Sequence, residues 1–138
     1  VSDVSSRFRD FLLADENIAR LVGGRVHEDH VPQRLGAKDY PFIWFQKRAM
    51  TSDLLLTDPP GAAPSSYTFD IECTGRSHGT VKQLSEYVRA RLHGWFGEFG
   101  DDTVQLIRAD DQAGEYTSRS SGGDSGLFTE SLIAEVYL

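Results

Sequence analysis

Residues 66–96 constrain the fold more than any other stretch, because the apolar period changes inside them. Tyr67, Phe69, Ile71 and Cys73 alternate with Thr68, Asp70, Glu72 and Thr74, the period-two pattern of a strand with one buried side. After Gly75 the period lengthens: Val81, Leu84, Val88, Leu92 and Trp95 recur at steps of three and four and form one stripe along a helix. A strand and a helix joined by so short a turn pack their apolar sides together. The expectation is an α+β fold, in which neither polar side carries a recognisable reaction centre.

The flanking segments extend this unit into a single domain. At 138 residues the chain can bury about 68% of the surface its unfolded form exposes, enough to fold without a metal or a disulfide. Val4, Phe8, Phe11 and Leu12 predict a first helix over 3–13, and Asp15 caps a second in which Ile18, Leu21 and Val22 face inward and Gly23-Gly24 supplies the stop. Residues 25–27 begin a strand. Pro41 opens another, Phe42-Ile43-Trp44-Phe45, which is apolar on both sides and so predicts a cover on each, the second from another subunit. The long helix begins near Ser77 or Thr80, where Thr80 and Gln83 have capping-box spacing, and ends at Gly94 or Gly97. Val104 and Leu106 alternate along a strand over 103–109, and Phe128, Leu132, Ala134, Val136 and Leu138 share a face of a closing strand interrupted by Glu130. The resulting architecture is a mainly antiparallel sheet of four to five strands, packed against the long helix and a short N-terminal helical pair.

Charge and cysteine content narrow the function. Fourteen basic against twenty-one acidic residues give a net charge of −7, and the cations are scattered in isolated pairs such as Lys47 with Arg48 and Arg89 with Arg91. A DNA binder needs a basic stripe to displace counterions from phosphates, so the expected partners are proteins, or DNA that passes without adhering. Cys73, the single cysteine, reads as a small buried hydrophobe. No apolar run approaches the roughly 18 residues that span a bilayer, and residues 1–10 lack the basic start and apolar block of a signal peptide. A cytosolic protein with no membrane role is expected.

Clusters with chemical potential are few. His27-Glu28-Asp29-His30 offers two imidazoles and two carboxylates, but an extended segment splays neighbours apart, and zinc histidines usually sit four apart on a helix or on separate elements. No metal and no cofactor is expected. His78 and His93 stand without a nucleophile that the sequence places beside them, and Asp70 and Glu72 share a strand face that Glu130 or Glu135 could approach as a carboxylate pair. Neither glycine pair continues into a phosphate loop. Two long loops are expected at 51–65 and 111–125. The first carries Leu54, Leu55 and Leu56, with Asp58 beyond them, and reads either as a contact surface or as the arm of a hairpin that finishes the preceding strand; the second carries Tyr116 and Arg119 and reads either as a partner contact or as a solvated hairpin tip.

Taken in order, the segments FLLADENIARLVGGRVHEDHVPQ, YPFIWFQK, YTFDIECTG with VKQLSEYVRARLHG, VQLIRADDQ and SLIAEVYL resemble the tail-completion, or tail-terminator, family of long-tailed bacteriophages, prophages and gene-transfer particles. That resemblance implies a non-enzymatic α+β protomer that assembles with itself into a ring, commonly hexameric, at the head-proximal end of the tail tube. It implies the tail tube protein and the head-tail connector or adaptor as partners, passage of DNA without specific binding, and a location in the virion neck after assembly in the host cytoplasm. On this reading Leu54, Leu55, Leu56, Asp58, Tyr116 and Arg119 are contact residues, and Thr68, Asp70, Glu72 and Thr74 form a lumen wall or subunit seam. A small hydrolase using Asp70, Glu72 or His78, and a generic protein-binding module, are the alternatives.

Overall fold

Local signals set the helices. In the computed structural model, which describes residues 4–31, 36–51, 66–99, 102–104, 106–111, 117–121 and 124–137, α1 (Val4–Leu13) buries Phe8 and Leu12. The Asp15 carboxylate accepts hydrogen bonds from the backbone N–H groups of Asn17 and Ile18 at 2.9 and 3.3 Å and so starts α2 (Glu16–Val22). Gly23, with φ 57°, ends it in the left-handed region that a glycine enters without strain. The long helix α3 (His78–Leu92) is capped by Ser77, whose hydroxyl accepts from Thr80 N–H. Of the two expected starts, Ser77 and Thr80, the helix uses Ser77, so the Thr80–Gln83 pair is not its cap. Trp95 lies past the helix end and packs edge-on against Phe11 at 4.7 Å.

The described residues also form eight strands: β1 (Val26–Glu28), β2 (Phe42–Thr51), β3 (Ser66–Gly75), β4 (Gly97–Phe99), β5 (Asp102–Val104), β6 (Leu106–Asp111), β7 (Thr117–Ser121) and β8 (Asp124–Tyr137). The main sheet has the order β1-β2-β3-β8-β6, with β7 also on β8, while β4 and β5 form a separate ladder. Among the described residues β1 and β2 run parallel and the other pairs are antiparallel. The long β8 has β3 on one flank along 128–137, while on its other flank 132–137 meet β6 and 124–129 meet β7. The segment 111–125, read from sequence as a loop, thus contains β7 and the opening of β8.

All three helices cover one side of this sheet. Phe8 stacks on Phe69 with ring centroids 4.2 Å apart, and Val81, Leu84, Val88 and Leu92 join Ile43, Phe45, Ile71, Leu132 and Ala134 in one fully buried cluster. Burying each such side chain contributes about 1.5–3 kcal/mol relative to exposure. Cys73 is a free thiol in the same cluster. The strand-to-helix turn works because residue 75 is glycine: a Cβ there would stand 2.8 Å from Val81 Cγ2 and 3.3 Å from Pro41 Cβ.

One expected face inverts. Val104 and Ile107 are buried with Ala109, whereas Leu106 is 44% exposed, so Val104 and Leu106 do not share a side. The chain leaves the β4-β5 ladder and enters the main sheet between them, and each ladder sets its own inward positions.

Candidate interaction surfaces

Ladder register decides which side chains share the sheet face turned away from the helices. On β3, Thr68, Asp70 and Glu72 lie opposite Glu135, Ile133 and Ser131 of β8, and Asp70 and Glu72 lie opposite Gln46 and Trp44 of β2. Beyond β8, Arg108 opposes Glu135 and Leu106 opposes Tyr137. These positions alternate with the buried ones, so the bare face carries half-buried Trp44 and Ile133 between carboxylates. Asp70 Oδ1 sits 3.6 Å from Arg48 Nη1, with side chains 27% and 60% exposed. At that exposure the pair contributes little, and among the described residues Oδ1 has no hydrogen-bond donor. The Tyr137 hydroxyl donates to Glu135; this bond favours the neutral phenol and, with smaller help from desolvation, raises the Tyr137 pKa.

Thr74 behaves differently from the row it was expected to join. It is 7% exposed, and its hydroxyl lies 3.0 Å from that of Thr129, itself buried across the ladder. Of the expected lumen or seam residues, Thr68, Asp70 and Glu72 remain at the surface. Among the expected contact residues, Leu54, Leu55, Leu56, Asp58 and Tyr116 lie outside the described residues, and Arg119 occupies a position in β7 opposite Leu127.

The residues of the hydrolase alternative are divided between the two sides of the sheet. His78 stacks on Phe128, which packs against the helix-side core, and Glu130 pairs in register with inward-facing Cys73. Asp70 and Glu72 are on the other side, which they share with Glu135 of that set. Among the described residues no three His, Cys, Asp or Glu side chains come together. The His27 ring stands edge-on to Phe42 at 5.6 Å, and burial first, then the charges of Arg9 and Arg25, lower its pKa. Two cations beside His27 disfavour a metal ion there.

Those arginines serve the backbone. Arg9 donates to the carbonyls of Val26 and Gly24 at 3.2 and 3.0 Å, and Arg25 donates to those of Pro41, Leu21 and Tyr40. The first pair of bonds occupies the outer edge of β1, where His30 N–H also returns to the Glu28 carbonyl. The β6 edge is closed by the end of α3. Gly94 N–H donates to the Ile107 carbonyl at 2.7 Å, Ile107 N–H donates to the Trp95 carbonyl at 2.9 Å, and Ala109 N–H donates to His93 Nδ1 at 3.2 Å. Gly94 has φ 81°, so Gly94 and Trp95 together oppose Ile107 in the arrangement of a glycine bulge.

None of this edge closure was visible in the sequence. The bare face was partly visible: Ser131, Ile133, Glu135 and Tyr137 alternate with Leu132, Ala134 and Val136, but joining that row to Asp70 required the β3-β8 register.

A two-layer α+β domain with helices on one side of its sheet and, among the described residues, no element over the mixed face on the other offers surface before it offers a reaction centre. Residues 7–119 match the family described as Tail completion protein gp17, and the chain belongs to that family. Among solved structures it resembles a chain from "Virion of native gene transfer agent (GTA) particle", at 16% identity and a TM-score of 0.64, covering 99% of this chain and 98% of that one. A second solved chain aligns at 15% identity and a TM-score of 0.52, covering 97% of this chain and 90% of its own length. At these identities the likeness is one of fold. No curated protein matches the sequence.

Proposed function

We propose that this protein is a structural component of a phage-type tail that forms a homo-oligomeric, hexameric ring at the head-proximal end of the tail tube, ends tube growth and joins the tube to the head connector. Membership of the tail completion family carries the structural tail role; the bare sheet face supports the ring. A face with half-buried Trp44 and Ile133 among Asp70, Glu72 and Glu135 suits a surface repeated around an axis. Repeated there, its carboxylates repel phosphate, so DNA would pass without being held. In this reading Thr68, Asp70 and Glu72 face the lumen or seam. Leu54, Leu55, Leu56, Asp58, Tyr116 and Arg119 contact the tube, the connector or the next copy, after assembly in the host cytoplasm.

Electron microscopy of the purified protein mixed with tail tubes tests this directly. Rings seated on one end of each tube, with tube length no longer increasing, are the expected result. Bare tube ends at saturating protein would overturn it, and turnover on an ester, phosphate or glycoside panel would favour the hydrolase instead. Excision of residues 52–65 is expected to leave a folded protein that fails to join tails. Excising 111–125 is not an equivalent test, because it removes β7 and breaks the ladder on β8.

A further inference from the structure

His93 ties the end of α3 to the β6 edge through two different bonds. Its backbone N–H donates to the Arg89 carbonyl at 2.8 Å and closes the helix, while its ring nitrogen Nδ1 accepts from Ala109 N–H at 3.2 Å. A ring nitrogen accepts only when it carries no proton, so the second bond requires a neutral imidazole with its hydrogen on Nε2. The side chain is exposed, and solvent protons reach it. The other bonds on this edge, Gly94 N–H to the Ile107 carbonyl and Ile107 N–H to the Trp95 carbonyl, are main-chain bonds without a titrating group.

We infer that His93 is an acid-sensitive latch on the β6 edge: neutral, it holds Ala109 to the end of α3; protonated, it releases Ala109 while the main-chain bonds at Ile107 stay in place. One proton is taken from solvent and resides on Nδ1, which turns from acceptor into donor and sets N–H against N–H across the former bond. Ala109 N–H then finds water instead. The latch acts within one copy and does not depend on the ring reading.

The surroundings give the charged ring a second place to rest. His93 ends a helix of 15 residues, where the negative end of the helix dipole favours a cation. Glu86, two turns earlier, lines the same open groove as His93 and attracts an imidazolium, whereas Arg89, also in that groove, repels it. On β6 the neighbouring cation, Arg108, lies on the other side of the strand from buried Ile107 and Ala109, opposite Glu135 of β8. Attraction and repulsion in the groove offset each other, and the bond to Ala109 decides which form the closed edge keeps. The closed edge keeps the neutral ring, so release is coupled to proton uptake. The latch therefore holds at high pH and is lost as pH falls, over the span of about pH 8 to 5 in which imidazole side chains change charge.

Amide exchange across that pH span, read residue by residue by NMR and divided by the intrinsic rate at each pH, tests the latch. Protection at Ala109 is expected to fall by about tenfold with the same midpoint as the His93 ring signals, while protection at Ile107 holds. At the upper end of the span, ring nitrogen shifts should place the proton on Nε2. His93→Gln offers an acceptor oxygen that does not titrate, and its Ala109 profile should be flat. His93→Leu offers none, and Ala109 should exchange at the low-pH level throughout. Circular dichroism confirms the fold of both variants. Protection at Ala109 that stays constant in the unmodified protein while the His93 ring titrates would overturn the inference, as would a neutral ring with its proton on Nδ1. An equal fall at Ile107, or an acid response that survives in His93→Leu, would also overturn it, since either assigns the response to a group other than His93 or to opening of the whole edge.

Discussion

Thr74 shows how a polar residue in an alternating pattern can be misplaced by the pattern alone. Its sequence neighbours Asp70 and Glu72 are on the surface, yet Thr74 is buried against Thr129, hydroxyl to hydroxyl at 3.0 Å. The reason is positional: it lies opposite Phe42 on one side, which is 6% exposed, and opposite buried Thr129 on the other. Each hydroxyl depends on the other for a partner. Thr74→Val or Thr129→Val alone leaves one hydroxyl buried without its mate and is expected to cost about 1–3 kcal/mol. Making both changes removes the orphan together with its partner, so the double variant should lose much less than the sum, a coupling that urea denaturation of the four proteins measures.

Elements were legible where periodicity and caps agree. Ile18, Leu21 and Val22 behind Asp15, and the α3 stripe from Val81 to Leu92, are where the sequence placed them, because three-and-four spacing leaves a single way to bury them. Edges were not legible, since they are sealed by bonds between residues distant in sequence or by single side chains: Arg9 on Val26, His93 on Ala109. Gly94 is the clearest case. A methyl group there meets nothing within 4 Å, so space is not the issue; the residue is held at φ 81°, where a side chain costs about 1–2 kcal/mol. Gly94→Ala is therefore expected to destabilise the protein by about that amount and to speed amide exchange at Ile107 and Ala109, while Gly94→Asn, which tolerates this backbone region, recovers part of the loss. Equal exchange in all three proteins would show that the bulge does not protect the β6 edge.

At the scale of the whole molecule, the lumen reading places Asp70 and Glu72 where DNA passes. Neutralising them as Asp70→Asn with Glu72→Gln leaves the helix-side core untouched, so folding and ring assembly should be unchanged, while DNA transit slows as its phosphates cease to be repelled. Time-resolved DNA release from assembled particles measures this, and release at the unmodified rate would assign that face to the seam. The position of β8 bears on something else entirely, the order in which the protein folds. The β2-β3 and β7-β8 hairpins and α3 can form from neighbouring sequence, but β6 finds its partner in β8 beyond β7, and β8 must also reach back to β3. Closing contacts so distant along the chain is slow. Docking of β8 between β3 and β6 is therefore the expected late step of folding.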